Sequence, residues 1–212
     1  MNFKKELPLL IIIVLPLIYL GYIYNSLPET VPTHWNASGE IDGYGNKSTL
    51  WLITLLLPVL VYVIMTVVPK IDPKKKIATM GKKYNQLKFF LVLFMSILAL
   101  YIIHSAKSQS LSNPNVIYIL IGLLFTFLGN YMKTVKPNYF IGIRTPWTLE
   151  NETVWKKTHQ LGSKLWFAGG LLIVFVGLIF KNETAATLFL VIVIILTIIP
   201  LLHSYLEYKK LN

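Results

Sequence analysis

Long apolar runs, separated by short stretches rich in lysine, glycine and proline, dominate the pattern of this chain. A helix needs about 20 apolar residues to cross the hydrocarbon core of a bilayer. Six runs approach or reach that length, at residues 7–24, 50–68, 89–106, 116–132, 165–180 and 185–206. The pattern therefore predicts an all-α integral membrane protein, a six-transmembrane-helix bundle in which residues 1–212 form a single membrane domain.

Composition agrees with this class. Hydrophobic residues make up 55% of the chain and charged residues 14%, which is too apolar for an ordinary soluble domain. The chain contains no cysteine, so disulfides, zinc–thiolate sites and thiol chemistry are excluded. No motif indicates a cofactor, and none is expected.

The lysines predict how the bundle is oriented. If the amino terminus lies in the cytoplasm, every basic residue except Lys47, Lys107 and Lys181 falls on the cytoplasmic side. Cytoplasmic loops of membrane proteins carry an excess of lysine and arginine, so we expect both termini in the cytoplasm. This placement accounts for the net charge of +11, and direct nucleic-acid binding is not expected.

The centres of the six runs contain no charged residue. Lys88 and Glu207 lie near the ends of runs, from which long side chains can reach the interface. Ion-coupled transporters usually bury charged residues in the membrane. The pattern therefore argues against pumping and secondary transport.

Small residues recur every seven positions in the fourth and fifth runs. They are Gly122 and Gly129 in the fourth run, and Ser163, Gly170 and Gly177 in the fifth. Seven residues make nearly two helical turns, so each set lines one face where another backbone can approach closely. We expect both helices to pack closely through these faces, and the two faces suit one another.

The segment 133–164 contains Arg144, the only arginine in the chain. Its planar guanidinium can bind a carboxylate or a phosphate through two parallel hydrogen bonds, which a lysine cannot do. Candidate partners are Glu152, a helix carboxyl end, a lipid phosphate and a protein partner. Gly142 permits a sharp turn between the end of the fourth span and this arginine.

Thr145 and Pro146 have the form of a helix N-cap followed by proline at the first helical position. The apolar residues that follow have helical spacing, which predicts a cytoplasmic interfacial helix that bends into the fifth span. Trp147 and Trp155 are expected at the level of the lipid headgroups.

The segment 25–49 lies outside the cell in this topology and is dense in turn-forming residues. Pro32 favours extended backbone, while Gly39 and Gly43 allow positive φ. The alternation of residue types around His34 predicts a short strand or ribbon, and Asp42 with Gly43 predicts a tight turn. Ordered loops of this kind often carry function.

His34, Glu40 and Asp42 are residue types that bind divalent metals. The segment holds only one histidine and the spacing matches no closed site, so we expect no metal and favour a hydrogen bond of His34 inside the loop. A membrane enzyme would use this set, or His159 with neighbouring carboxylates. No paired nucleophile and base supports that alternative, so catalysis is not expected.

Two stretches of the chain resemble the SdpI family of bacterial membrane proteins. Residues 27–47 read LPETVPTHWNASGEIDGYGNK and resemble the module that follows the first span in that family. Residues 141–149 read IGIRTPWTL, continue through ETVW at 152–155, and resemble the most recognisable motif of the family. Together with the six-span plan, the resemblance covers nearly the whole chain.

The resemblance implies a membrane protein of a bacterial cell that confers immunity to a secreted toxic peptide. It also implies a possible receptor role, in which a small helix-turn-helix repressor is drawn to the membrane. Carried over by position, the cytoplasmic motif comprises Gly142, Arg144, Thr145, Pro146, Trp147, Glu152 and Trp155. The extracellular motif, the candidate peptide contact, comprises Pro32, His34, Gly39, Asp42, Gly43 and Lys47. The alternatives are a transporter or exclusion protein for a hydrophobic substrate and a general envelope-stress protein.

Overall fold

The computed structural model describes residues 3–36, 40–109, 115–180 and 182–211 of the chain. Within these ranges six helices are long and apolar enough to cross a membrane. They are α1 (Phe3–Ile23), α2 (Thr49–Ile71), α3 (Lys82–Ser108), α4 (Asn115–Met132), α6 (Glu152–Ile179) and α7 (Asn182–Lys209). The short helix α5 (Pro146–Glu150) lies between α4 and α6, and strands β1 (Thr30–Trp35) and β2 (Ile41–Asn46) follow α1. The predicted fold class is therefore confirmed.

Helix α6 begins well before its apolar run because its polar first turns are amphipathic. Buried residues follow one another at helical spacing there, as Val154, Trp155, Thr158 and His159. Polar residues between them lower the mean hydropathy, so a search for apolar runs finds only the later part of this helix. The polar part of α6 is the part that contacts the motif segment.

The chain forms two compact units. The first comprises Met1–Val67 and Asn85–Pro114, and the second comprises Val68–Tyr84 and Asn115–Asn212. The chain passes from one unit to the other within α2 and within α3. The two candidate segments found in the sequence therefore belong to different units: the strands to the first, the arginine motif to the second.

The core of the first unit lies where the strands meet the helices. Leu20 and Ile23 of α1, Val31 of β1, Leu50 of α2 and Ile103 of α3 are almost fully buried and pack together. Burial of such side chains is the main force that holds a strand pair of this size in place, because an isolated hairpin is marginal in water. The hairpin is therefore anchored through β1.

Strands β1 and β2 pair antiparallel, with Thr30 opposite Asn46 and Pro32 opposite Tyr44. This confirms the predicted ribbon. The predicted tight turn at Asp42 and Gly43 is wrong, because both residues lie within β2 and their backbone belongs to the strand. Beyond the strands, the backbone N–H of Asn36 donates to the carbonyl oxygen of Glu40 at 2.9 Å, and the predicted residue Gly39 lies outside the described residues.

In the second unit, α4 and α6 pack face to face through their small residues. A Cβ atom on Gly129 would lie 2.2 Å from the backbone nitrogen of Phe167, and one on Gly170 would lie 2.4 Å from that of Thr126. Such backbone approach is possible only at glycine. The expectation that the two striped helices pack through these faces is confirmed.

Lys88 and Glu207 do not extend to the interface as expected. Lys88 is buried and its Nζ atom lies 3.0 and 2.8 Å from the carboxylate oxygens of Glu6. Glu207 is also buried and bonds Lys157 and Lys210, each at 2.6 Å. Each of these charged side chains pairs with an opposite charge on a neighbouring turn or helix. An ion pair inside the protein takes the place of hydration at the interface.

Candidate functional site

Asn138 is fully buried and folds the start of the motif loop, residues 138–145. Its amide nitrogen donates to the carbonyl oxygens of Lys136 (2.8 Å) and Ile141 (3.0 Å). Its amide oxygen accepts from the backbone N–H groups of Phe140 and Ile141, both at 2.7 Å. These bonds replace those of a helix or strand, so the loop has a defined shape without regular secondary structure.

His159 holds the middle of the motif loop. The N–H of Ile143 donates to its Nε2 atom (3.1 Å), and its Nδ1 atom lies 2.8 Å from the carbonyl oxygen of Trp155. Because Nε2 accepts here and a carbonyl can only accept, Nδ1 carries the proton and the ring is neutral. The imidazole also stacks on the Trp155 ring, with centroids 4.1 Å apart. His159 thus binds backbone of the loop.

Gly142 occupies a position that only glycine fits. Its φ angle is +108°, a backbone conformation that residues with side chains rarely adopt. A Cβ atom there would also lie 2.4 Å from Nε2 of His159. Conformation and close approach therefore both require the glycine that the sequence motif contains.

Trp155 is 2% exposed, so it packs inside the protein and does not face lipid, while its predicted level in the membrane stays a prediction. Its indole Nε1 donates to the carbonyl oxygen of Val135 at 2.9 Å, which satisfies the one polar atom of the side chain. The first turns of α6 are amphipathic, and Trp155 lies on their buried face. Trp155 therefore joins α6 to the segment that follows α4.

Thr145 caps α5 as predicted, with Pro146 in the first turn. The side chains of Thr145 and Thr148 each accept from the other's backbone N–H, at 3.2 and 2.9 Å, and both residues are buried. The sequence predicts one interfacial helix that bends into the fifth span, but α5 ends after Glu150 and a separate helix follows. Asn151 then caps α6, accepting from the next residues of the helix, and its extended backbone breaks the helical path.

The far side of α5 contacts α7. The rings of Trp147 and Tyr205 lie 5.1 Å apart at a tilted angle, and Trp147 is only partly buried. On the neighbouring turn of α7, Glu207 bonds Lys157 of α6. Helices α5, α6 and α7 are therefore joined at one end of the second unit.

Arg144 is exposed, and its Nη1 atom donates to the carbonyl oxygen of Tyr139 at 2.5 Å. It forms no ion pair with any described acidic residue, so the candidate pairing with Glu152 is wrong. Glu152 instead lies exposed in the first turn of α6, where a carboxylate suits the helix dipole. The guanidinium closes the motif loop and presents its remaining donors to the surroundings.

The segment between α2 and α3 supports the motif loop from the other side. The carboxylate of Asp72 accepts from the backbone N–H groups of Lys74 (3.2 Å) and Ile77 (3.0 Å), which fixes a tight turn. Lys74 then donates to the carbonyl oxygen of Leu149 at 3.2 Å. The turn at Asp72 places Lys74 beside the motif loop. The spacing of residues along the sequence does not predict this contact.

The second candidate site is the exposed face of the hairpin. His34 Nδ1 lies 2.5 Å from a carboxylate oxygen of Asp42, as expected of a histidine bonded inside the loop. A Cβ atom on Gly43 would lie 2.9 Å from that of His34, so glycine lets the strands approach where the register is irregular. The described residues contain no group of three histidines or acids that could hold a metal.

Pro32 and Lys47 lie at the base of the hairpin. Pro32 is buried, whereas the Lys47 side chain pairs with Glu29 at 2.9 Å and lies 5.0 Å above the centre of the Tyr24 ring. Lys47 also donates its backbone N–H to the carbonyl oxygen of Glu29. Lys47 therefore connects the end of β2 to the segment that follows α1, and His34, Asp42 and Tyr44 lie on the exposed face of the hairpin.

These features define a multi-pass helical membrane protein with a hairpin between its first two spans and a buried polar motif before its fifth. Residues 134–204 match the model of the SdpI/YfhL protein family, and residues 11–57 match a domain of unknown function, DUF1648. Over residues 134–204 the chain is similar to the SdpI family of bacterial membrane proteins. It is 28% identical to Immunity protein SdpI of Bacillus subtilis (strain 168) over 211 residues, which is 99% of this chain and 98% of the relative. No solved structure matches.

Proposed function

We propose that this chain is a membrane immunity protein that protects a bacterial cell from a secreted toxic peptide. The observation that carries the proposal is the similarity to Immunity protein SdpI, which extends over 99% of this chain and 98% of the relative. Because the match is end to end, it includes both the hairpin and the motif loop. This chain therefore contains both segments that the relative contains, and a function that depends on both can be carried out by it.

The proposed topology places the hairpin outside the cell and the motif loop in the cytoplasm, with both termini inside. The distribution of lysine supports it, since only Lys47, Lys107 and Lys181 fall on the outer side. The chain has no cysteine, so single cysteines can be introduced and labelled without background. Access of a membrane-impermeant reagent to residue 44 but not to residue 144 in intact cells is expected, and the reverse would overturn the topology.

In this proposal the exposed face of the hairpin is where the peptide first binds. The hairpin contains three acids, Glu29, Glu40 and Asp42, against the single lysine Lys47, although the chain as a whole is strongly basic. Tyr44 is 60% exposed on the outward face of β2, beside Asp42. An acidic face with an exposed aromatic ring suits a peptide that is cationic and amphipathic.

The motif loop would serve as a support or inward relay. Recruitment of a small helix-turn-helix repressor is the finer part of the proposal, and it requires the peptide to bind two states of the protein with different affinity, since equal binding shifts nothing. Arg144 is the exposed cation of the motif and the natural contact for such a partner. Thr145 and Trp155 of the motif are buried and act through the shape of the loop.

The test is survival. The chain is expressed in a toxin-sensitive Bacillus strain, and survival is measured across a range of peptide concentrations, with membrane insertion checked by fractionation. We expect protection by the parent chain and reduced protection by a variant with Asp42→Asn and Tyr44→Ala. A variant with Asn46→Ala, on the same face of β2, is the matched control and should protect normally. Unchanged survival of cells that carry the inserted parent chain would refute immunity.

A further inference from the structure

Lys74 and Arg144 meet at one residue of the motif loop. The Nζ atom of Lys74 lies 4.9 Å from the centre of the Tyr139 ring, and the guanidinium of Arg144 bonds the carbonyl oxygen of the same residue. The only other bond of the Lys74 ammonium to a described residue is with the carbonyl oxygen of Leu149. Both cations therefore contact neutral groups, and two positive charges are held around Tyr139.

No acidic residue forms an ion pair with these two cations in the part of the chain that the structure describes. The carboxylate of Asp72 accepts from backbone N–H groups, and Glu207 pairs with Lys157 and Lys210. Glu150 and Glu152 are exposed and form no ion pair with either cation. Two like charges that contact the ring and the backbone of one residue, and that have no ion-pair partner, favour binding of an anion beside them.

The donors that remain suit a phosphate group. A guanidinium has five N–H donors, of which one is used on Tyr139, and the exposed remainder can bind two oxygens of one anion in parallel. The half-buried ammonium of Lys74 adds a donor from a second direction. A phosphate has several oxygens around one centre, so it can accept from the guanidinium and from the ammonium at the same time. A chloride ion cannot do this.

The loop also follows directly on a helix that is apolar enough to cross a membrane. Helix α4 ends at Met132, so we expect the segment that follows it to lie near the membrane surface, where lipid phosphates are found. Tyr139 is 43% exposed and Trp147 is partly exposed, as is typical of aromatic residues in the headgroup region.

We propose that Arg144, Lys74 and the Tyr139 residue between them form a binding site for a phosphate group, supplied by a phospholipid headgroup or by free phosphate in solution. The site holds the motif loop in place when occupied, because one anion then bridges the loop to the segment between α2 and α3. The proposal is independent of the immunity function, since it depends only on contacts within the second unit.

The single arginine provides the probe. Protein labelled with ¹⁵N-arginine and purified in a maltoside detergent should give one side-chain Nε–Hε signal, because the chain contains one arginine. Short-chain phosphatidylglycerol and inorganic phosphate are titrated separately, with a short-chain diacylglycerol as the lipid that lacks phosphate. We expect a saturable shift with a phosphate-bearing ligand and none with diacylglycerol.

The two titrations identify the source. A shift with phosphatidylglycerol at much lower concentration than with phosphate assigns a lipid, and comparable shifts assign a free anion. Absence of a shift with both, or an equal shift with diacylglycerol, would overturn the site.

A matched pair of variants distinguishes binding at this site from nonspecific attraction of the anion by the net positive charge. Lys74→Ala should weaken binding by about tenfold or more, as expected for loss of a charge-assisted bond. Lys76→Ala removes the same charge from an exposed position two residues away and should bind like the parent chain. Equal weakening by both variants would mean that net charge alone attracts the anion, and it would contradict the proposal.

Discussion

Replacing His159 with leucine should destabilise the protein through the loss of two contacts of the imidazole. The buried N–H of Ile143 would have no acceptor, which costs about 1–3 kcal/mol in the free energy of unfolding. Loss of the stacking contact with Trp155 adds about 0.5–1.5 kcal/mol. We therefore expect a total of about 1.5–4.5 kcal/mol.

The assay is reversible unfolding of purified protein by sodium dodecyl sulfate in mixed micelles, followed by tryptophan fluorescence. Two comparisons make it specific. His159→Gln should retain a large part of the stability, because its amide oxygen can reach the position of Nε2 and accept from Ile143. His104→Leu, an exposed histidine of α3, should change stability by about 0.5 kcal/mol or less. If His159→Leu were no less stable than His104→Leu, the assigned role of the imidazole would be refuted.

Two further substitutions test the packing of each unit by the same assay. Gly129→Ala should cost about 1–3 kcal/mol or more, because its Cβ would meet the backbone of Phe167, whereas Gly21→Ala has ordinary van der Waals room and should be neutral. Equal stability of these two variants would contradict the helix packing. Lys88→Met should cost about 1–3 kcal/mol by leaving the partly buried carboxylate of Glu6 unpaired, and the added change Glu6→Gln should restore part of it. No recovery in the double variant would show that the pair is not what holds these helices.

The spans and the glycine packing could be predicted from the sequence because each rests on a local pattern. Apolar runs of membrane length have few alternative explanations in a chain so poor in charge. A small residue at every seventh position is likewise a property of one helix, and Gly122 and Gly170 could be recognised as contact positions before their partner was known. The N-cap at Thr145 is equally local, since it depends on residues within one turn.

The motif loop was only partly predictable because its bonds join side chains to distant or irregular backbone. Ile143 and His159 are 16 positions apart, and no spacing rule relates a loop N–H to a helical imidazole. The same holds for Trp155 and Val135, so the sequence does not show that this amphipathic aromatic residue packs inside the protein. The break at Asn151 was missed because apolar spacing happens to continue across it, while the local capping bonds decide the backbone.

The roles of the motif residues can be separated by one pair of substitutions. Thr145 is buried, and its side chain bonds the backbone of Thr148, so Thr145→Val should alter the shape of the loop and reduce stability by about 1 kcal/mol. Arg144→Lys keeps the positive charge but removes the planar guanidinium that can donate two parallel hydrogen bonds. Because Arg144 is exposed, this change should leave stability nearly unchanged. If the motif contacts a phosphate or a partner through Arg144, the lysine variant alone should lose that contact while inserting and unfolding normally. Normal phosphate binding and normal signalling by the lysine variant would instead mean that the arginine serves only as a charge. The function of the motif would then depend on the shape of its backbone.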